Sequence, residues 1–160
     1  MSETLVYLVR HGQAGERARW DGPDRVRPLD DAGRAQAQAL VRLFAGQPFA
    51  HLVSSPFARC VATMVPLALA RGMVVEVREE LAEGMLWEYA EKIVLEAAVE
   101  GPAAVCVHGD AMRELVAELA DRGVPLVGDV GEHAKAGTWI LDVADGAIGS
   151  GRYLPPPHVT

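Results

Sequence analysis

Leu5-Val6-Tyr7-Leu8-Val9-Arg10-His11-Gly12 is the stretch on which the reading of this chain turns. Five apolar residues run without a break and stop at a cation, an imidazole and a glycine, the pattern of a buried central strand that delivers polar groups at its C-terminal end. In an open α/β sheet, ligands bind along that edge. For the Arg10-His11 pair alone, the start of an ordinary surface loop competes evenly with this reading. The rest of the chain decides between them, because it repeats the arrangement twice.

The second instance is Ala103-Ala104-Val105-Cys106-Val107, a buried strand followed at once by His108-Gly109-Asp110. The other is Phe49 to Ser54, a short strand ending in Ser54-Ser55-Pro56. Ser55 as N-cap with Pro56 in the first helical position predicts a helix start there, and Val61, Met64, Val65 and Ala68 continue its apolar stripe. This places Arg59 in the first turns of a helix, where free amides and partial positive charge favour an anion. Pro66 is expected to kink or shorten that helix near its end.

Between these stretches, strands and helices alternate. Asp30 is the expected N-cap of a helix with Ala37, Leu40, Val41 and Phe44 on its apolar face. Met73 to Arg78 reads as a strand, and Trp87 to Ala98 as a helix with Ala90, Ile93, Val94 and Ala97 inward. Met112, Leu115, Val116 and Leu119 line a helix that stops at Gly123. A loop over 124–137 leads to a strand at 138–143, and Asp145-Gly146 marks a hairpin into a last strand. Pro155 to Pro157 form an extended tail. The expected fold class is therefore α/β, a three-layer sandwich of about six mostly parallel strands with helices on both faces. The final antiparallel hairpin is expected at the sheet edge.

Composition narrows the function. With 160 residues, half of them hydrophobic, residues 1–160 are expected to form a single domain. The N-terminus lacks the basic region and cleavage site of a signal peptide and no apolar run reaches membrane-spanning length, so the expectation is a cytoplasmic protein. A net charge of −7 argues against a nucleic-acid partner, since phosphate-backbone affinity needs clustered Lys and Arg. Residues 1–59 nevertheless carry eight basic and six acidic side chains, while 60–160 carry seven and sixteen. Arg17, Arg19, Arg25 and Arg27 crowd the loop after His11. Alone, they read as a solvated loop; beside Arg10 and His11 they read as a funnel for an anionic substrate.

Arg10, His11, Arg59 and His108 all fall at or just after C-terminal strand ends, so a parallel sheet can gather them. Two guanidiniums and two imidazoles suit a dianion: arginine matches phosphate oxygens with a planar fork, and imidazole can be nucleophile, donor or proton carrier. There is no Walker A run, G-x-G-x-x-G, G-x-S-x-G or H-E-x-x-H sequence to compete. Cys60 and Cys106 sit in apolar segments and are assigned to the core, without a disulfide or metal role. His51, His133 and His158 show no ligand spacing and receive no role. Trp20, Trp87 and Trp139 could stack on a base, but core or rim packing is the expectation.

Together, Leu8-Val9-Arg10-His11-Gly12, Arg27-Pro28-Leu29 with Gly33 and Gln36, Ser54-Ser55-Pro56 with Arg59 and Thr63, and Val107-His108-Gly109 resemble the histidine phosphatase superfamily, also called phosphoglycerate-mutase-like. The resemblance covers most of the chain. It is strongest to small bacterial SixA-like phosphatases and to the C-terminal phosphatase-like domain of actinobacterial MutT-type Nudix hydrolases, which the Lys135-Ala136-Gly137-Thr138-Trp139 segment also resembles. No Nudix motif is present, so a histidine phosphatase domain standing alone is expected.

The resemblance implies a phosphoric monoester hydrolase that works through a phosphohistidine on His11, without a metal or other cofactor. Arg10, Arg59 and His108 would hold the equatorial phosphate oxygens, with Gly12 beside them, and Gln13, Arg17 and Arg19 would belong to a substrate loop. Family members often place a general acid in a Leu-x-Glu pattern, which Leu81-Ala82-Glu83 resembles. Gly84 follows directly and the usual downstream glycine spacing is missing, so Glu80, Glu88 and Asp110 stay open beside Glu83. The implied substrate is a small phosphorylated metabolite or nucleotide. Alternatives are a SixA-like phosphatase acting on a phosphohistidine protein, and a weakly catalytic module that binds a phosphorylated ligand. A mutase fits less well because Gln13-Ala14 departs from the mutase pattern. A metal site of His11, His108 and Asp110 ranks last, since Arg10 would oppose a cation. No membrane partner is implied, and the sequence leaves the oligomeric state open.

Overall fold

The computed structural model describes residues 3–159. Seven strands form one sheet: β1 (Thr4–Arg10), β2 (His51–Ser54), β3 (Val75–Val77), β4 (Ala103–Val107), β5 (Leu126–Val127), β6 (Thr138–Ala144) and β7 (Ala147–Leu154). Their spatial order is β3-β2-β4-β1-β6-β7-β5. The β1–β4, β2–β4, β2–β3 and β5–β7 pairs are parallel, and only β6 runs against its neighbours. Four helices cover the faces: α1 (Asp31–Leu43), α2 (Ala58–Arg71), α3 (Trp87–Glu100) and α4 (Gly109–Asp121). None of the helices among the described residues is long and apolar enough to cross a membrane.

Strand periodicity divides the core into two layers. Val6 and Leu8 of β1, with Ala103, Val105 and Val107 of β4, pack against α3 and α4. Tyr7 and Val9, with Ala104 and Cys106, face α1 and α2. Alternate side chains leave opposite faces of a strand, so an unbroken apolar run is what a sheet covered on both sides requires. The helical stripes obey the same logic: Ala37, Leu40 and Phe44 of α1 and Met112, Leu115, Val116 and Leu119 of α4 are fully buried.

Several local expectations give way to tertiary contacts. The sheet has seven strands rather than about six, because Leu126–Val127 pairs with Gly151–Arg152 and takes the edge beyond β7, displacing the β6–β7 hairpin from the rim. Helix α2 does not begin at Pro56: its N-cap is Phe57, and the Ser55 hydroxyl sits 2.8 Å from His108 Nε2 while accepting from the Phe57 amide. A buried imidazole has drawn the serine away from the role of cap. Pro66, expected to kink or shorten the helix, does not shorten it: α2 runs on to Arg71 and is closed by Gly72 in the left-handed conformation. Asp30, by contrast, caps α1 as expected, accepting from the Gly33 amide at 2.8 Å.

Gly33 is also where α1 meets the loop after β1. A Cβ there would lie 1.9 Å from the Gln13 carbonyl oxygen, a backbone atom with nowhere to go. At an open helix position Gly→Ala stabilises by up to about 1 kcal/mol. Here the clash should reverse the sign, with Gly33→Ala costing about 1–3 kcal/mol, the usual range for overpacking. Urea unfolding of the variant checks this, and a gain in stability would contradict the packing described.

Candidate active site

The order β2-β4-β1 brings three strand ends together. Arg10 stands opposite Val107 and Ser54 opposite Cys106, and the His11 and Ser55 amides continue the ladder by donating to the Val107 and Cys106 carbonyls. His11 and His108 therefore leave adjacent strands on the same edge, their ring centroids 5.5 Å apart. Arg59, in the second position of α2, is 1% exposed and stacks on Phe57, which in turn meets the His108 ring edge-on.

Around these residues opens a cleft of about 470 Å³. Arg10, His11, Arg59 and His108 line it, as do Gln13, Arg17, Glu83 and Asp110. Gly12 does not line it. Its amide donates to Thr63 Oγ1 at 2.9 Å and its carbonyl accepts from His11 Nδ1 at 2.7 Å, so Gly12 serves the site by fixing His11 rather than by offering its own N–H to a phosphate. Thr63 completes the latch by donating to the Arg59 carbonyl at 2.7 Å. Arg19 lies outside the cleft that holds His11. It pairs with Glu16 and points to a neighbouring cleft, while Arg17, at the other end of the same helical turn, reaches Glu83 at 2.6 Å.

The His11 contacts settle its protonation. A carbonyl oxygen can only accept, so Nδ1 carries the proton and Nε2 of the neutral ring keeps its lone pair. Burial lowers the imidazolium pKa to about 3; the Gly12 hydrogen bond opposes the shift, and the charges of His108, Arg10 and Arg59 add to it. His11 is thus uncharged at neutral pH, with a free lone pair on Nε2.

Of the acidic residues left open by the sequence, two reach the cleft. Glu83 Oε2 accepts from Arg59 Nη2 and lies 3.4 Å from His108 Nδ1. Asp110 sits in the first turn of α4 and accepts from the amides of Gly84 and Ala111. Glu80 is taken by Arg78 and Lys92, and Glu88 is exposed on α3 away from the cleft. Cys60 and Cys106 are buried core residues, yet Cys60 Sγ also approaches His108 Nε2 to 3.6 Å and so forms part of the wall behind it. Among the described residues, no group of three His, Cys, Asp or Glu side chains is placed to hold a metal ion.

Asp24 and Lys135 enter the site without having been assigned to it, and Arg27, read only as part of the basic loop, joins them. Asp24 gathers Arg17, Arg27 and Arg59. Arg27, buried, also donates to the Gly15 carbonyl, and it lines the cleft with Lys135. The Arg27-Pro28-Leu29 and Lys135-Trp139 segments were visible as motifs, but only folding brings the loops that hold them to the strand edge.

Cationic side chains around a neutral imidazole at the C-terminal edge of an α/β sheet define a site for phosphoryl chemistry. The family model described as histidine phosphatase superfamily (branch 1) matches residues 6–148, and the chain belongs to that superfamily. An "8-oxo-(d)GTP phosphatase" of Mycolicibacterium smegmatis is 35% identical over 156 residues, covering 95% of this chain and 48% of that protein. The chain thus spans about half the length of this curated relative. Among solved structures, a SixA described as a phosphohistidine phosphatase from Nakamurella multipartitia superposes with TM-score 0.73 at 22% identity, covering 100% of this chain and 98% of that one. Its counterpart from Agrobacterium tumefaciens gives 0.71 at 23%, covering 87% and 91%. At such identities these structures speak for the fold, a phosphoglycerate-mutase-like sandwich.

The state of His11 has a consequence for stability. Unfolded, its imidazole titrates near the ordinary 6.5; folded, it stays neutral down to about 3. Between those values the unfolded chain binds more protons, so stability falls as pH drops, by up to about 1.4 kcal/mol per pH unit from this one group. Urea unfolding between pH 6 and pH 4 should show a shallower loss for His11→Gln than for the wild type. Equal slopes would mean that His11 is not held neutral.

Proposed function

We propose that this chain acts as one catalytic unit, a metal-independent phosphatase that transfers a phosphoryl group to His11 and then to water. The observation that carries this reading is the His11 imidazole, neutral, 5% exposed and oriented through the Gly12 carbonyl, in a cleft lined by Arg10, Arg59 and His108. Arg10 Nε and Arg59 Nε are buried N–H groups with no acceptor, which also fits a site built for an anion. Nε2 attacks phosphorus, the bond to the leaving oxygen breaks, and its electron pair departs with that oxygen. Arg10, Arg59 and His108 stabilise the charge on the equatorial oxygens.

Glu83 is the proton donor in this scheme. It touches Arg59 and His108, the same groups a phosphate would engage. Its Oε1 is held at the rim by Arg17 at 2.6 Å, and the proton it passes on enters with the substrate monoanion. Protonated Glu83 gives its proton to the leaving oxygen; its carboxylate then takes one from the water that attacks the phosphohistidine, and the P–N electron pair returns to Nε2.

The substrate is a small phosphorylated metabolite, with a nucleotide favoured. The name of the Mycolicibacterium relative supports a nucleotide, and so does a neighbouring cleft of about 460 Å³ that shares residues 13–16 and Arg27 with the first. Trp20 lines it, 36% exposed, with its indole N–H tied to the Pro23 carbonyl at 2.9 Å. A pinned, half-open indole is suited to stacking on a base.

Hydrolysis of an aryl phosphate and of nucleotides, with a chelator present, tests the scheme. His11→Ala should lower kcat by at least about 10³-fold. Glu83→Gln should lower it about 10²–10⁴-fold for an alkyl phosphate and much less for an aryl phosphate, whose leaving group needs little help. Activity that survives in His11→Ala, or vanishes on chelation, would refute the mechanism.

A further inference from the structure

The cleft holds more positive charge than one phosphate needs. Arg10, Arg59 and His108 account for a single phosphoryl group, and Arg17 is occupied with Glu83 and Asp24. Lys135 remains, and Arg27, whose Nε pairs with Asp24 and whose Nη1 donates to the Gly15 carbonyl, keeps Nη2 for a ligand. Arg27 is buried on the wall shared with the Trp20 cleft. Lys135 enters from the loop before β6 and lines the cleft, and among the described residues no carboxylate lies within ion-pairing distance of its ammonium. Burial and the charges of Arg10, Arg27 and Arg59 disfavour its charged form while Asp30 favours it, so an anion between the lysine and the arginines would stabilise the arrangement.

The loop that presents Lys135 is held rigidly. Ala136 has φ +65°, a left-handed conformation that is costly for a residue with a Cβ, and its amide donates to the Arg10 and His11 carbonyls at 3.1 Å. The Gly137 carbonyl in turn accepts from the Arg10 amide, and the His133 carbonyl accepts from Arg10 Nη1. Lys135 is therefore fixed to the same strand end as His11. Gly137 allows this close approach, since a Cβ there would meet the Tyr153 hydroxyl at 2.3 Å and the Ala134 carbonyl at 2.8 Å.

We infer that Lys135 and Arg27 form a second phosphate subsite, and that the chain is built for a phosphoanhydride such as a nucleoside diphosphate, with the terminal phosphate at His11 and the penultimate one at Lys135. The inference rests on the phosphatase reading for its chemistry and on the cation arrangement for its geometry. Nε2 attacks the terminal phosphorus, the P–O bond of the anhydride breaks, and the electron pair leaves on the penultimate phosphate. Water then releases inorganic phosphate from His11. A phosphate leaving group bound by two cations needs less protonation than an alkoxide, which accords with a Glu83 already engaged by Arg59 and Arg17.

The test compares kcat/KM for a nucleoside diphosphate with that for an aryl phosphate in the wild type, Lys135→Gln and Lys135→Arg. The ratio should fall at least about tenfold in Lys135→Gln, mostly through KM, and recover in Lys135→Arg. An unchanged ratio overturns the inference. A second arm titrates His11→Ala protein with pyrophosphate and with inorganic phosphate: pyrophosphate should bind more tightly, and Lys135→Gln should remove that preference. If the wild type hydrolyses nothing while the preference for pyrophosphate holds, the phosphatase reading fails and the subsite stands. If the aryl phosphate is hydrolysed through His11 but neither arm responds to Lys135, the subsite fails alone.

Discussion

One residue's backbone governs the site, that of Gly12. Its carbonyl holds the His11 ring by Nδ1 and its amide is held by Thr63, which reaches back to the Arg59 carbonyl. Three elements, β1, the loop after it and α2, are thereby fastened at one point, and the His11 imidazole and the Arg59 guanidinium are set relative to each other. The contact is tight on its other side as well: a Cβ at position 12 would lie 3.0 Å from the Gly33 carbonyl. Backbone groups buried here have no recourse to water, so each must keep its partner. That requirement turns a short loop into a rigid mount for an imidazole.

Charge is then distributed around a fixed centre. His11 is neutral because burial and surrounding positive charge both oppose its protonation, while the arginines stay charged. Carboxylates temper that field without cancelling it. Asp24 holds the loop arginines together, and Glu83 occupies the side of the cleft nearest Arg59 and His108. Glycine again sets the spacing: a Cβ at Gly109 would fall 2.6 Å from Arg10 Cζ, so only a glycine at the start of α4 lets that guanidinium lie against the helix. Strand order supplies the convergence, and small residues supply the closeness.

What could be read from the sequence follows from how local each signal is. The runs 5–9 and 103–107 are apolar throughout because both faces of a central strand are covered, and their limits in the fold match that pattern closely. Asp30 caps α1 because the cap is made within four residues. Ser55 misleads because its partner, His108, is 53 residues away. Pro66 does not shorten α2, whose inner face at Met64, Leu67 and Ala68 is buried in the core, so packing outweighs the proline. The β5 strand has two residues and no periodicity to detect. At the site, His11, Arg10, Arg59 and His108 were legible because each ends a strand or begins a helix. Lys135 and Asp24 were not assigned, since loops bring them to the edge and the contacts that do so are long-range.

The central claim is that the sheet edge presents His11 with its proton on Nδ1 and its lone pair on Nε2. Trapping the enzyme during turnover of a phosphorylated substrate and locating the phosphorus by ³¹P and ¹⁵N NMR tests this most directly. The expected product is a base-stable, acid-labile phosphohistidine bonded through Nε2 of His11. Phosphorus on Nδ1, on His108 or on a carboxylate would contradict it.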